Sequence, residues 1–92
     1  MTGPIERDLS IINVKGLHAR ASAKFVDVVE NFDAQAQVEK DGHSVSGDSI
    51  MGLLMLAASR GSDIRVTTTG PQAVELADAL EALVKDCFGE GM

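Results

Sequence analysis

The sequence predicts an α+β fold in which three helices cover one face of a four-stranded antiparallel sheet. Strand and helix periodicities alternate along the chain in the order β-α-β-β-α-β-α, and an Asp-Gly pair marks one tight hairpin. The strands are half polar, which is typical of an antiparallel sheet with one face in solvent. The 92 residues form a single predicted domain, 1–92, with ends that we expect to fray at about 1–4 and 89–92.

The first half of the chain predicts three strands and one helix. Residues 5–14 carry β-branched side chains with partial alternation and predict a strand. Apolar residues at helical spacing predict a helix over 19–32. Residues 34–40 alternate apolar and polar side chains, and the Asp-Gly turn connects this half-buried strand to a short strand over 43–46.

The second half predicts a helix, a strand and a helix. Residues 49–58 are almost entirely apolar, and their Leu, Met and Ala content favours a short helix with Ser49 as its N-cap and Gly61 as its stop. Residues 63–69 alternate as a strand does. The last helix is predicted to open with Pro71 at its first position, where the missing N–H costs nothing.

Composition narrows the function to contacts with proteins or small ligands. The net charge of −6 disfavours nucleic acid and anionic membranes, and three Phe without Trp or Tyr offer few stacking surfaces for bases. The single cysteine, Cys87, cannot form an internal disulfide, and we expect a buried, inert thiol near the end of the last helix. Without an apolar signal core, a membrane span or a phosphate-binding GxxxxGK[ST] loop, the sequence predicts a cytoplasmic protein that does not bind ATP.

One segment, 15–20, combines the residues that anion chemistry needs. It connects a predicted strand to a predicted helix, so His18 lies at or next to a helix N-terminus, where unpaired N–H groups and the helix dipole favour anions. Arg20 adds a guanidinium suited to phosphate oxygens, and the backbone of Ala19 and Arg20 is the predicted phosphate cradle. The residues alone leave two interpretations open: a phosphohistidine at His18, or an ordinary capping or surface histidine.

Two motifs in register resemble the HPr family of bacterial phosphocarriers. Gly16-Leu17-His18-Ala19-Arg20 is similar to the HPr active-site motif, and Ser49-Ile50-Met51-Gly52-Leu53-Leu54-Met55-Leu56 is similar to the HPr regulatory-serine helix. The element order agrees with that family over nearly the whole chain. The resemblance implies an open-faced β-sandwich, phosphorylation of His18 on Nδ1 by enzyme I, and transfer to a histidine of an enzyme IIA protein. Arg20 then stabilises the phosphate.

Further expectations follow from the same resemblance. Leu53-Leu54-Met55-Leu56 and Thr69-Gly70-Pro71-Gln72 look closest to the nitrogen-related branch, NPr, which feeds regulatory enzyme IIA proteins; a sugar-transport HPr is the alternative. Ser49 matches the position that an HPr kinase/phosphorylase modifies in some bacteria, and a plain N-cap is its other interpretation. We expect a monomer, without cofactor or metal.

The partner-docking surface is expected on the helix that flanks the histidine. A thin domain cannot bury every face of an apolar helix, so part of it should be exposed. Leu53 and Leu56 are the predicted inner residues. The predicted docking residues are Leu17, Ala23, Ile50, Met51 and Leu54.

One position departs from the family pattern, since the motif usually continues with proline and residue 21 is Ala. This leaves the site geometry and partner preference open. His43 is expected to be a solvated strand residue rather than a zinc ligand. Two other classes stay open as alternatives: a hydrolase that uses His18 as its nucleophile, and a regulatory binding module that acts without phosphotransfer.

Overall fold

The computed structural model describes residues 3–90 and confirms the predicted fold class, with four antiparallel strands in one sheet and helices against one face. The strands are β1 (Ile5–Ser10), β2 (Gln35–Lys40), β3 (His43–Ser46) and β4 (Asp63–Thr69). The helices are α1 (Ala19–Glu30), α2 (Ile50–Met55) and α3 (Ala73–Lys85), followed by a 3₁₀ turn over Cys87–Gly89.

The strand order is β1-β4-β2-β3, which places the first and third strands at the edges of the sheet. In the register of β1 with β4, Leu9 lies opposite Ile64. In the register of β2 with β4, Val38 lies opposite Val66. All four side chains are buried, while their polar neighbours along the strands are exposed or partly exposed, so the alternation in the sequence separates the helix-covered face from the solvated one.

The core lies between the sheet and the helices. Its largest fully buried side chains include Phe25 from α1, Leu53 from α2, Leu76 and Leu80 from α3, and Phe88 from the C-terminal turn. Burying one such side chain contributes about 1.5–3 kcal/mol, so the C-terminal turn is part of the packed domain.

β1 is shorter than the predicted strand over 5–14, because it ends at Ser10. The backbone of Ile11 still pairs with the segment 61–62, through two hydrogen bonds of 2.8 Å. The chain then turns, and the N–H of Gly16 donates to the carbonyl of Asn13 at 3.2 Å. This turn redirects the backbone from the sheet into α1.

The Asp-Gly hairpin matches its prediction. Asp41 and Gly42 have φ angles of 51° and 85°, the two left-handed conformations that a type I′ turn requires. The following strand covers the predicted residues 43–46, and His43 is exposed, as expected for a solvated strand residue. The other strands and α1 differ from prediction by no more than two residues at an end, apart from β1.

α2 departs most from its prediction, because it ends at Met55 rather than at 58 and Gly61 is not its stop. Its last turn tightens to i→i−3 hydrogen bonds, and Ala57 follows with a left-handed φ of 52°. The early end turns the chain so that the carbonyl of Ala58 accepts from the N–H of Leu17 at 2.8 Å. A tertiary contact with the loop before α1 therefore replaces the last predicted turn of the helix.

The start of α3 also differs, because Pro71 does not occupy its first position. The helix begins at Ala73 with Gln72 as N-cap, whose carbonyl accepts from the N–H of Leu76 at 2.9 Å. Gln72 is fixed in turn, since its side-chain oxygen accepts from the N–H of Asp33 at 2.7 Å. The proline lies in the turn before the helix.

Candidate functional site

The residues before His18 are anchored to the segment that follows α2. Gly16 has a left-handed φ of 64°, and a Cβ at this position would lie 2.8 Å from the Cα of Ser59, so the backbone approach requires glycine. The next residue, Leu17, donates its N–H to Ala58 and buries its side chain in the core. These contacts fix the backbone from which the His18 side chain extends.

His18 is the N-cap of α1, with extended backbone angles and no capping hydrogen bond from its side chain. The first bond within the helix runs from the N–H of Ser22 to the carbonyl of His18, at 2.8 Å. The N–H groups of Ala19 and Arg20 precede that bond and have no acceptor inside the helix. The histidine side chain is 25% exposed, so an accessible ring lies beside unpaired donors at the positive end of a helix, as the sequence predicts.

The structure brings a carboxylate to the histidine that the sequence analysis missed. Nε2 of His18 is hydrogen-bonded to Oε2 of Glu90, and Oε1 of Glu90 accepts from Nδ2 of Asn13 at 3.1 Å. Nδ2 of Asn13 also donates to the carbonyl of Gly16 at 2.8 Å. The loop before the helix and the C-terminal end of the domain therefore meet at one ring nitrogen.

Glu90 is ionised at neutral pH. Partial burial alone raises the pKa of Glu90, but the hydrogen bonds from His18 and Asn13, with the nearby charge of Lys24, outweigh burial and hold this pKa below its ordinary value of 4.5. A carboxylate only accepts hydrogen bonds, so the His18 nitrogen that faces it carries the proton. Nδ1 then holds the lone pair, and no group within residues 3–90 hydrogen-bonds to it.

Glu90 reaches the site through a segment that we call the C-terminal hook, residues 86–90. Cys87 and Phe88 both adopt left-handed backbone conformations, with φ angles of 53° and 55°. Left-handed residues with a Cβ cost roughly 1–2 kcal/mol each, and here the burial of Phe88 offsets that cost. Nζ of Lys24 also donates to the carbonyl of Phe88 at 2.5 Å, which ties the hook to α1.

The hook corrects two predictions. Gly89 and Glu90 are not frayed: the N–H of Gly89 donates to the carbonyl of Asp86 at 2.9 Å, and Glu90 contacts the histidine. Of the other residues predicted to fray, 3–4 are exposed and outside secondary structure, while 1–2 and 91–92 lie outside the described residues. Cys87 lies close to the end of the last helix, as expected, but it is partly rather than fully buried.

Two clefts lie near the start of α1, one lined by His18 and the other by Arg20. His18 lines a shallow cleft of about 210 Å³ with the backbone segment 57–59. A second concavity of about 340 Å³, which we call the cationic cleft, is lined by Val14, Lys15, Arg20, Lys24, Gly89 and Glu90. Arg20 is exposed, and no hydrogen bond or ion pair holds its guanidinium to another of the described residues. Lys15 lines both clefts.

Ser49 is the N-cap of α2, as the sequence predicts. Its hydroxyl oxygen accepts from the N–H of Gly52 at 3.0 Å, and the residue is partly buried. A phosphate ester on this oxygen would face the same helix N-terminus, where negative charge is favoured. Its modification stays a prediction.

The predicted docking residues divide into exposed and buried ones. Ile50 and Met51 are 40% and 69% exposed, Leu54 and Ala23 are partly buried, and the two predicted inner leucines of α2 are buried. Leu17 is only 5% exposed and belongs to the core, so its predicted place on a docking surface is wrong. Met55 is 80% exposed and was missed, because α2 ends at this residue.

Comparison with known proteins identifies the family. A family model described as "PTS HPr component phosphorylation site" matches residues 5–86. The phosphocarrier protein HPr of Cupriavidus necator is 48% identical over 87 residues, covering 95% of this chain and 98% of that protein. The phosphocarrier protein NPr of Escherichia coli K12 is 34% identical over 87 residues, covering 94% and 97%.

Solved structures agree with these matches. The crystal structure of HPr-C-His from Thermoanaerobacter tengcongensis has a TM-score of 0.91 at 38% identity, covering 96% of this chain and 99% of that one. A phosphocarrier HPr from Bacillus anthracis has a TM-score of 0.86 at 38% identity, covering 90% and 99%. The chain therefore belongs to the HPr family, the phosphocarriers of the phosphotransferase system. Within residues 3–90, none of the helices has the length and apolar character that crossing a bilayer requires.

Proposed function

We propose that this chain accepts a phosphoryl group on Nδ1 of His18 from enzyme I and passes it to a histidine of an enzyme IIA protein. The observation that carries the proposal is the accessible His18 ring at the start of α1, with Nε2 bonded to a carboxylate and Nδ1 without a partner among residues 3–90. A neutral imidazole with a free lone pair is a nucleophile near neutral pH.

The surroundings of the ring supply a moderate anion cradle. The N–H groups of Ala19 and Arg20 are unpaired within the helix, and they are available to phosphoryl oxygens beside the ring. The Arg20 guanidinium is exposed and free to turn towards them. A cradle built from backbone donors and one exposed cation can hold a phosphoryl group without burying it, which suits a protein that must release the group again.

Incubation with enzyme I and labelled phosphoenolpyruvate tests this function, with the modified residue mapped afterwards. We expect His18→Ala to abolish labelling while the fold survives, because the ring is partly exposed and caps the helix only through its backbone. His43→Ala is the matched control, since it removes the other histidine from an exposed position in β3. Acid-labile, base-stable phosphate on the His18→Ala variant would overturn the assignment.

For the branch of the system, we propose a regulatory, nitrogen-type relay, on the strength of the segments 53–56 and 69–72. The relative named NPr is 34% identical, against 48% for the HPr of C. necator, so overall identity adds little to that proposal. Transfer rates from the phosphorylated chain to a regulatory enzyme IIA and to a sugar-specific enzyme IIA decide between the branches. Faster transfer to the sugar-specific protein would refute the nitrogen-type relay.

The docking surface proposed for these partners consists of Ile50, Met51 and Met55, which are apolar and exposed on α2. Exposed Met side chains adapt to more than one partner, as a carrier requires. We expect Met51→Asp to raise the KM of enzyme I for this chain without changing the stability of the chain, because the side chain is 69% exposed. Val74→Asp, at an exposed apolar residue of α3, is the control, and equal effects of the two changes would contradict this surface.

A phosphorylation of Ser49 by an HPr kinase/phosphorylase would add negative charge next to this surface. We propose it as a second, regulatory modification that weakens docking rather than unfolding α2, since phosphate at a helix N-terminus is electrostatically favoured.

A further inference from the structure

We propose that Glu90 and Asn13 are positioning residues that keep the proton of His18 on Nε2, both when the ring accepts a phosphoryl group and when it gives the group away. The proposal rests on the proposed phosphorylation of His18 and adds two residues to it. It comes from contacts of this chain, because Glu90 lies in the C-terminal hook, beyond the segment 5–86 that the family model matches.

The three side chains form a chain of hydrogen bonds in which Asn13 and His18 donate and Glu90 accepts. Nδ2 of Asn13 donates to Oε1 of Glu90 at 3.1 Å, and Oε2 of Glu90 accepts from Nε2 of His18. A carboxylate held in this way can only accept the ring proton, so it selects the tautomer with the lone pair on Nδ1. Glu90 contacts Nε2 and not the reacting nitrogen Nδ1, so it acts through the His18 ring.

The orientation of the Asn13 amide supports this role. Its Nδ2 has two acceptors, the carbonyl of Gly16 at 2.8 Å and Oε1 of Glu90, whereas its Oδ1 is buried without a hydrogen-bond partner among the described residues. A flipped amide would place Oδ1 against both acceptors, so the flip is excluded. The two donated bonds therefore fix the orientation of the amide, with Nδ2 towards Glu90.

The chemistry of transfer explains what the proton does on Nε2. When the Nδ1 lone pair attacks phosphorus, the bond from phosphorus to the donor breaks and its electron pair leaves with the donor. The ring becomes cationic with its proton on Nε2, where the Glu90 carboxylate stabilises it. In the next transfer a ring nitrogen of the acceptor histidine bonds to phosphorus as the Nδ1–phosphorus bond breaks, the electron pair of that bond returns to Nδ1, and neutral imidazole departs. No proton has to move in either step, and an imidazolate leaving group is avoided.

The charges around the ring are few. The cationic cleft contributes Lys15, Arg20 and Lys24 on the side of Glu90, and Lys24 is among the groups that lower the pKa of Glu90. The segment 57–59 on the other side of the ring contributes two alanines and a serine, none of which titrates. Among these groups Glu90 is the one anion, so it is the group that favours a proton on the ring.

The first test is the pH dependence of phosphohistidine hydrolysis in three proteins: wild type, Glu90→Gln and Glu30→Gln. Protonation of Nε2 makes the ring a better leaving group, so the hydrolysis rate falls as that proton is lost with rising pH. Removing the carboxylate should move the midpoint of this profile to lower pH, with rates that converge in acid. Glu30→Gln makes the same charge change at the far end of α1, about 18 Å away at 1.5 Å per residue, and should leave the midpoint unchanged.

The second test is the tautomer of unphosphorylated His18, read from its imidazole ¹⁵N chemical shifts. Wild type should show a protonated Nε2 and an unprotonated Nδ1. In Glu90→Gln the amide oxygen faces Nδ2 of Asn13, so the amide N–H₂ faces His18 and donates to Nε2. The proton then moves to Nδ1 and blocks the nucleophile, and phosphorylation by enzyme I should slow roughly tenfold or more.

Removing Asn13 should partly rescue this variant. In Asn13→Ala/Glu90→Gln the amide can rotate and present its oxygen to Nε2, which restores the Nε2–H tautomer and part of the phosphorylation rate. A purely structural role of Asn13 predicts the opposite, because loss of a fully buried side chain would add a second defect. A faster phosphorylation rate in the double variant than in Glu90→Gln therefore cannot come from destabilisation. Urea unfolding of each variant checks that the fold is retained.

The outcomes separate this proposal from the proposed function. If wild type is not labelled at His18, the proposed function fails and this proposal fails with it. If wild type is labelled at His18, and Glu90→Gln keeps the wild-type midpoint, tautomer and rate, only this proposal is refuted. A double variant slower than Glu90→Gln refutes the role of Asn13 and leaves that of Glu90.

Discussion

Replacing Phe88 by Ala tests how firmly the C-terminal hook is attached to the domain. The Phe88 side chain is fully buried in the core, and losing a buried Phe side chain typically costs about 3–5 kcal/mol. The hook lies at the end of the described chain, however, and can detach without unfolding the sheet. The loss of stability cannot exceed the net free energy by which the hook attaches to the domain. That free energy is reduced by the conformational cost of two left-handed residues. We therefore expect the free energy of unfolding to fall by about 2–3 kcal/mol.

Urea unfolding followed by far-UV circular dichroism measures this loss, since the chain has no Trp or Tyr for fluorescence. With an m-value of about 1 kcal/mol per molar urea, the midpoint should fall by about 2–3 M. Met55→Ala is the control, because that side chain is 80% exposed and its loss should change stability by less than about 0.5 kcal/mol. If Phe88→Ala unfolds at the same urea concentration as Met55→Ala, the hook is not docked and Glu90 is not held beside His18.

Two further predictions concern stability away from the histidine. Ser49→Ala removes the oxygen that accepts from Gly52, so the free energy of urea unfolding should fall by about 1 kcal/mol. Ser44→Ala, on the exposed edge strand, is the control and should have little effect. Equal losses in the two variants would argue against the cap. The pKa of Glu81 lies below its ordinary value of 4.5 because Lys85 and Arg7 bond to its carboxylate, so its contribution is present at neutral pH and is lost as pH falls through and below that value. Glu81→Gln should flatten the fall in unfolding free energy between about pH 5 and pH 3, and an unchanged slope would show that these bonds do not contribute.

The sequence predicted every strand and helix because each has its own periodicity or turn chemistry. The Asp-Gly turn and the strands around it are the clearest cases, since two residues with left-handed φ leave few alternatives. The strand order β1-β4-β2-β3 was not predictable, because alternation shows which face is buried and not which strand lies alongside. The predicted end of α2 was wrong for a related reason. A backbone hydrogen bond between Leu17 and Ala58 replaces the last turn of the helix, and helix propensity carries no information about such a contact.

The site was only half predictable. His18 and the N–H groups after it belong to one short segment, so local rules for helix termini find them. Glu90 and Asn13 are 72 and 77 residues from their partners in sequence, and only the folded chain brings them together. One local signal was available, because an apolar Phe followed by Gly after the last helix indicates a tail that packs against the domain. A tail predicted to fray could not be expected to place Glu90 in the site.

The position of Glu90 also bears on how tightly the site should hold a phosphoryl group. The chain as a whole carries a net charge of −6, but charges more than about 8 Å away are largely screened at physiological salt, so the cleft itself sets the local field. That cleft has three cations, and Glu90 is the anion among them. Without Glu90, the cations would hold phosphate more strongly, and Nε2 of His18 would lose the acceptor that keeps the ring in the tautomer of a good leaving group. Both changes slow donation, so the carboxylate favours transfer over retention, which is the balance that a carrier between two proteins requires.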